Sequence, residues 1–526
     1  MRGLVCSSFK EIPIMTTEFV PQRYKKGEAQ PNNDAAVEKD QTQPTNTAAV
    51  EKNQTQPSNN AVVDKQKKQP QSTAAVAAPV TATQTPEEGA DEQVQPKPPA
   101  KRNTASKSSS STSKSSGDTA KKKAVTVTKK VFTVQQASIA PMVSRVAQGV
   151  NSKKSKKVIE NCLLMTITKG GTMNLVGAAA DIEIISRTKV NVVTGITKTL
   201  KLAVQADRLN NLLRSFNSSD ELEFTVKKNP KAGDGGYHMT LILKCGRSQY
   251  SLALFDPDAY PSISMSKDVT TFQIANNDLL WGLQRTLITA AHQDVRYYLN
   301  GVYMEFSPEK DNDSHLRLVG TDGHRLGTCT VAASYSDEKR PVTSCILPRT
   351  SAVKINGLIG TDGDCQVQVS SSLLRVATPF VVITSRLIDG RYPDWRRVCP
   401  QPEQVEGYEK CSIVRSDAKQ LISRCSLMVN EKTTALSVKS TKDKHLEVSA
   451  SNATDENGVE LISYSSDNEI DLEIGLNATY VQDALNQFDG YSDTIEFFLH
   501  KSGQSPLVIK HDDNPTLSYV VMPLRV

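Results

Sequence analysis

Very little in this chain reads as catalytic equipment. Its 526 residues carry two tryptophans and seven histidines, and aromatic residues make up only 5%. There is no GxxxxGK[ST] loop to cradle a nucleotide phosphate, and no HExxH or GxSxG motif. The nine cysteines (Cys6, Cys162, Cys245, Cys329, Cys345, Cys365, Cys399, Cys411, Cys425) stand singly, with no CxxC pair. A chain of this length does not depend on a disulfide framework, so reduced thiols in the cytoplasm are expected. No apolar run approaches the ~20 residues that span a bilayer. No secretory apolar core precedes a small-residue cleavage site, and Met15 is a second candidate start. His292 with Asp294, and Asp322 with His324, could seed a metal-dependent hydrolase, but metal sites need several converging ligands and no second histidine cluster exists. No metal or cofactor is expected.

Charge is unevenly placed. Residues 1–130 hold 20 Lys/Arg against 13 Asp/Glu, and the chain totals of 63 and 57 leave 43 against 44 for the rest. A DNA partner of the near-neutral remainder would require its positive charge to be sorted onto one face. Residues 1–128 are expected to be disordered, being rich in Ala, Gln, Thr, Ser, Pro and Lys with almost nothing to bury. A polar repeat of thirteen residues runs through them (NDAAVEKDQTQP, NTAAVEKNQTQP, NNAVVDKQKKQP), followed by a basic linker, Lys101 to Lys123. Such a repeat has no apolar face to stack into a solenoid.

From Val131 another pattern starts and recurs six times: a short β-prone run, then an amphipathic helix. The runs begin near residues 132, 199, 271, 344, 411 and 471. Helical spacing is clean at Ile139, Val143 and Val146, and at Leu209, Leu212, Leu213 and Phe216. Asp207, Asn277, Ser416 and Asn477 are placed to cap helices. Alternating strand patterns such as YHMTLILKCGRSQYSLALF and HLEVSASNA fill the intervals. Units one, three and five start about 140 residues apart, which gives three domains of two halves each: 129–265, 268–400 and 405–526. Hairpin-length connections predict an α+β architecture of antiparallel sheets with helices on one face.

Three segments stand apart: AHQDVRYYLNG with TDGHRL (Ala291 to Leu326), SRLIDGRYPDWRRV (Ser385 to Val398), and the apolar chain end YVVMPLRV. With nothing after it to cover it as a middle strand, that end is expected at the rim of a groove. Together these segments resemble the bacterial DNA polymerase III β sliding clamps, over about Lys130 to Val526. The resemblance implies three copies of the DNA clamp (processivity) domain. Two chains would pair head to tail into a closed homodimeric ring, with antiparallel sheets outside and helices lining the hole.

It also implies three sites. DNA contacts would fall on Lys153, Lys154, Lys156 and Lys157 of the NSKKSKK loop, and on Gln293, Arg296, Tyr297 and Tyr298, where a tyrosine could stack on an exposed base. The helix cations (Arg145, Arg208, Arg214, Arg285, Arg349, Lys354, Lys419, Arg424) read helix by helix as ordinary solvated faces; if all six helices point inward, they would add sequence-independent phosphate contacts. A groove for short partner peptides would comprise Leu299, Thr321, Gly323, His324, Arg325, Leu326, Pro393, Arg397, Val398, Val520, Val521, Met522, Pro523, Leu524 and Arg525. The ring interface would set Arg247, Tyr250 and Leu252 against Leu427 and Met428 of a second copy, with Gln249 where a basic residue is common in the family.

The expected function is a non-catalytic processivity factor on double-stranded DNA. Its partners would be the replicative polymerase, repair proteins and other polymerases, and a clamp-loading ATPase complex supplied in trans. Two rivals remain at this point. A static nucleic-acid scaffold acting through its basic tail predicts that removing residues 1–128 abolishes DNA association. A metal hydrolase using His292 and His324 predicts bound metal.

Overall fold

The structure, a computed structural model, describes residues 128–150, 157–192, 199–228, 239–308, 314–336, 341–429 and 434–525. The tail repeats, the basic linker and most of the NSKKSKK loop lie outside the described residues.

Six α-helices follow the six recurring units: α1 (Gln136–Ala147), α2 (Ala206–Arg214), α3 (Asn276–Leu287), α4 (Arg349–Leu358), α5 (Arg415–Cys425) and α6 (Ala478–Asn486). Each begins at the residue after a strand ends. The chain passes from extended to helical backbone with no connecting loop, so the first N–H of the helix has no partner of its own. In five of the six a carbonyl from a neighbouring segment accepts from it. Gln136 donates to Asp220 O (2.9 Å), Asn276 to Gly363 O (2.8 Å), Arg349 to Asn300 O (2.9 Å), Arg415 to Asp493 O (2.7 Å) and Ala478 to Thr434 O (2.9 Å).

This tertiary solution displaces most of the expected side-chain caps. Only Asn477 caps as predicted, its side chain accepting from the Tyr480 amide at 3.2 Å. Asp207, Asn277 and Ser416 lie inside their helices, whose preceding residues Gln205, Ala275 and Val414 make no side-chain cap. Ser416 is instead held by Asp493, whose carboxylate accepts from its amide (3.1 Å) and its hydroxyl (2.5 Å).

The helices pack in pairs, α1 with α2, α3 with α4 and α5 with α6. The apolar stripes face the sheets, and Ile139, Val143, Val146, Leu209 and Leu213 are fully buried. All strand pairings among the described residues are antiparallel, within one sheet of fourteen strands and another of twelve. Both sheets run through the middle domain and out of it. The fourteen-stranded sheet passes into the first domain where Val381–Arg386 pairs with Ile182–Lys189. The twelve-stranded sheet passes into the third where Arg325–Ala332 pairs with Ser518–Val521.

That second junction corrects the expectation for the chain end. Ser518–Val521 is a middle strand, between Arg325–Ala332 and Leu507–Lys510, and all four of its residues are buried. Its partners come from earlier in the chain, so its terminal position does not expose it. Only Met522, Pro523 and Leu524 remain partly open, and Arg525 fully so. The eight described cysteines are free thiols, seven of them buried. Burial pushes Cys162, Cys329, Cys345, Cys365 and Cys411 up to about 12. No described helix is long and apolar enough to cross a membrane.

Candidate functional site

The three segments singled out in the sequence converge. Leu299, Leu326 and Val520 share one apolar cluster with Tyr392, Trp395 and Cys399 of the RYPDWRRVC segment, and each is almost wholly buried. They are a floor beneath the surface, not the open wall the sequence suggested. The accessible rim is Gly323, His324, Pro393, Arg397 and Val398 (44% exposed), with Met522, Pro523 and Leu524 beside it.

TDGHRL forms the hairpin turn between His315–Thr321 and Arg325–Ala332. Gly323 sits at φ +88°, a left-handed conformation that suits glycine. The Thr321 hydroxyl donates to Arg325 O (2.7 Å) and accepts from the Gly323 amide (3.1 Å), while Asp322 Oδ1 accepts from the amides of His324 (2.9 Å) and Arg325 (3.0 Å). Arg325 then bridges two domains: Nε holds Asp322 at 3.1 Å, Nη1 holds Asp483 of α6 at 2.6 Å, and its guanidinium lies 4.4 Å from the Tyr480 ring. The chain end is clasped to both sides, since the Met522 amide donates to His324 O (2.9 Å) and the Leu524 amide to Gly475 O (2.8 Å). Sequence reasoning singled out Asp322 only beside His324, and missed Tyr480 and Asp483, which lie more than 150 residues from Arg325 and carry no local mark as its partners.

In RYPDWRRV, Tyr392 stacks on Tyr303 at 4.9 Å, and the guanidiniums of Arg396 (4.6 Å) and Arg317 (5.5 Å) each lie over the buried Trp395 ring. Arg396 is neutralised by Glu305 at 2.6 Å. Arg397 pairs with Asp394 at 3.2 Å but stays 83% exposed. A cavity of about 780 Å³ opens on the Tyr303 and Ser344 side of this segment. Of the expected groove residues only Pro393 and Arg397 line it, so it is a neighbouring hollow and not the groove.

The 292–300 loop lies against the TDGHRL turn. Gln293 is exposed at φ +58°, Tyr297 is 57% exposed, and Tyr298 is partly buried with its ring edge-on to Tyr297 at 5.7 Å. Arg296 is no free cation. It forms a two-bond fork with Asp294 (3.0 and 2.7 Å) and donates to Asp322 O at 2.8 Å. These bonds hold the Asp294 carboxyl down at about 2. His292 and His324 are both exposed. No group of three or more His, Cys, Asp or Glu among the described residues could hold a metal ion.

The helix cations divide into two classes. Arg208 and Arg214 are exposed and make no ion pair among the described residues. Others are committed: Arg349 donates to Leu287 O and Ala290 O at the end of α3, Lys419 pairs with Asp489 (3.1 Å), and Arg424 forks onto Glu460 (2.7 and 3.0 Å). Burial lowers the affinity of Lys354 for its proton. Lys157 is exposed and 3.9 Å from Glu160, while Lys153, Lys154 and Lys156 lie outside the described residues.

Among the described residues, two long strands are paired over only part of one side. Ser248–Phe255 pairs along its length with Met239–Cys245, but meets Leu200–Gln205 only at Leu254 and Phe255. Asn457–Ser465 pairs with His445–Ser451, but meets Tyr408–Val414 only at Tyr464 and Ser465. Beside the first edge lie exposed Arg247 and Gln249, Tyr250 (41% exposed) packed edge-on to Phe216, and half-buried Leu252. Beside the second lie Leu427 (75% exposed), Met428 against Gly458, and the exposed pair Val459 and Leu461. The last two were missed, although their alternation in NGVELISYS was a readable signal.

Family models for the DNA polymerase III β subunit match consecutive stretches: the N-terminal domain over residues 130–264, the central domain over 273–394 and the C-terminal domain over 397–525. The β sliding clamp of Haemophilus influenzae is 29% identical over 381 residues, covering 72% of this chain and 95% of that one. The clamp of Pseudomonas aeruginosa is 28% identical over 397 residues, covering 74% and 99%. A crystal structure of a DNA polymerase sliding clamp from Pseudomonas aeruginosa with ligand superposes with a TM-score of 0.66 at 26% identity, covering 76% of this chain and all of that one. A second from that organism, bound to griselimycin, gives the same values. With three clamp domains in order and sheets continuous across both domain boundaries, the chain belongs to the bacterial DNA polymerase III β sliding clamp family.

Proposed function

We infer that this protein is the sliding clamp of a replicative DNA polymerase, a non-catalytic processivity factor that acts in the cytoplasm on double-stranded DNA. The observation that carries the reading is the run of three clamp domains from 130 to 525, built on two sheets that cross the domain boundaries without a break. Two chains join at the Tyr250 and Leu427 edges into a closed ring. Such a ring holds DNA by topology, so it needs only weak phosphate contacts and can slide. Exposed Arg208, Arg214, Lys157 and Gln293 supply those contacts, with Tyr297 available to stack on a base. Opening the ring falls to a clamp-loading ATPase. Polymerase and repair proteins dock by short peptides whose apolar side chains enter at Val398, Met522 and Leu524, over the buried floor of Leu299, Leu326 and Val520.

The test is the double variant Met522→Ala, Leu524→Ala. Both side chains are partly exposed, and the buried strand Ser518–Val521 is untouched. Peptide affinity for a polymerase-tail peptide should fall about tenfold or more, roughly 1.4 kcal/mol or above. Polymerase stimulation should fall with it, while retention on circular DNA is kept. Unchanged stimulation would sink the groove assignment.

A further inference from the structure

We propose that Arg296 is a positioning residue that joins the two proposed sites: it latches the rim of the peptide groove, and DNA at the neighbouring loop draws it off. The proposal rests on the groove reading above and deepens it. Arg296 Nε and Nη2 are held by Asp294, and Nη2 also donates to the carbonyl of Asp322. Its Nη1 lies over Gly323, where an added Cβ would come within 2.6 Å of it. The turn beneath the guanidinium is the one that shapes the rim. The Asp322 carboxylate holds the amide of His324, and the carbonyl of His324 holds the amide of Met522. Three bonded steps therefore lead from Arg296 to Met522.

The Arg296 side chain is 42% exposed, on the loop that presents Gln293 and Tyr297 to solvent. A DNA phosphate arriving at this loop competes with Asp294 for the fork, because both are anionic acceptors suited to a guanidinium. Once Arg296 turns outward, Asp322 O loses its donor and the turn loses its cover. A peptide must then order the rim as it binds, which weakens its affinity. Thermodynamic linkage makes the effect mutual: bound peptide weakens the DNA contact by the same factor.

The test uses the full chain, a fluorescent polymerase-tail peptide and a short primed duplex. In the wild type, DNA should weaken peptide binding about fivefold or more. In Arg296→Ala the peptide should bind at the weakened level whether or not DNA is present, so the ratio falls to one. Arg296→Lys keeps the charge but cannot make the fork, and should behave likewise. Hydrogen exchange gives a readout that needs no peptide. The amides of His324 and Met522 should exchange faster when duplex is added to the wild type, and be fast from the start in Arg296→Ala. If the peptide fails to bind wild type but exchange responds as described, the groove reading falls and the latch stands. Exchange indifferent to both DNA and substitution overturns the latch. So does a wild-type peptide affinity that DNA leaves unchanged or strengthens.

Discussion

At the residue scale, the charges that matter are mostly already paired within the chain. Arg296, Arg325, Arg349, Lys419 and Arg424 all look like free cations in the sequence, yet each is bound to a carboxylate or to helix-end carbonyls. Most of these partners lie far away in the chain, Asp483 being 158 residues from Arg325, so no local pattern could reveal them. Asp294 offers a direct check on one such pair. Hydrogen bonds from Arg296 lower its carboxyl to about 2, from an ordinary aspartate value of 3.8. A depressed carboxylate contributes to stability above its unfolded value, and that contribution fades as pH falls from 3.8 towards 2. The Arg296 fork should therefore not titrate between neutral pH and about pH 4. In carbon NMR the Asp294 carboxyl should titrate near 2, or stay ionised to the onset of acid unfolding. In Arg296→Ala it should move back towards 3.8. A midpoint near 3.8 in the intact protein would mean the pair is not held in solution.

At the element scale, helix starts separate what sequence can and cannot specify. Of the four expected caps, Asn477 alone uses its side chain, so Asn477→Ala should cost about 1 kcal/mol of stability in the third domain. Asp207→Ala, at an exposed position with no cap bond, should cost less than about 0.5 kcal/mol. Calorimetric unfolding of both variants would decide it, and equal losses would contradict the geometry. All six helices were nonetheless legible, because apolar spacing such as Ile139, Val143 and Val146 is set by burial on one face and survives whatever happens at the ends. The strands that flank the chain end, Arg325–Ala332 and Leu507–Lys510, are not marked as its neighbours by anything local in the sequence. YVVMPLRV alone reads as an open rim, whereas Tyr519, Val520 and Val521 are core, since a strand's exposure depends on which distant strands flank it. The groove segments were identified by resemblance, and their division into a buried floor and an exposed rim needed the fold.

At the scale of the whole molecule, the open edges make a single chain look incomplete. An edge strand with apolar residues beside it invites pairing with another chain, and natural proteins normally blunt such edges. Among the described residues, Ser248–Phe255 in the first domain and Asn457–Ser465 in the third are such edges, each carrying exposed apolar side chains. Head-to-tail joining of two copies would use both edges twice and leave neither exposed, which is closure without excess. Leu427 is the residue to test, because at 75% exposed it contributes little to the fold of its own chain. Leu427→Asp should leave thermal unfolding of the monomer within about 0.5 kcal/mol of wild type. A buried, unpaired carboxylate at each of two junctions should cost the dimer several kcal/mol, on the order of 2–5 per site. Sedimentation at micromolar concentration should then show monomers, and retention on circular DNA should disappear because an open chain cannot encircle it. A variant that still sediments as a dimer would place the ring contact somewhere other than these edges.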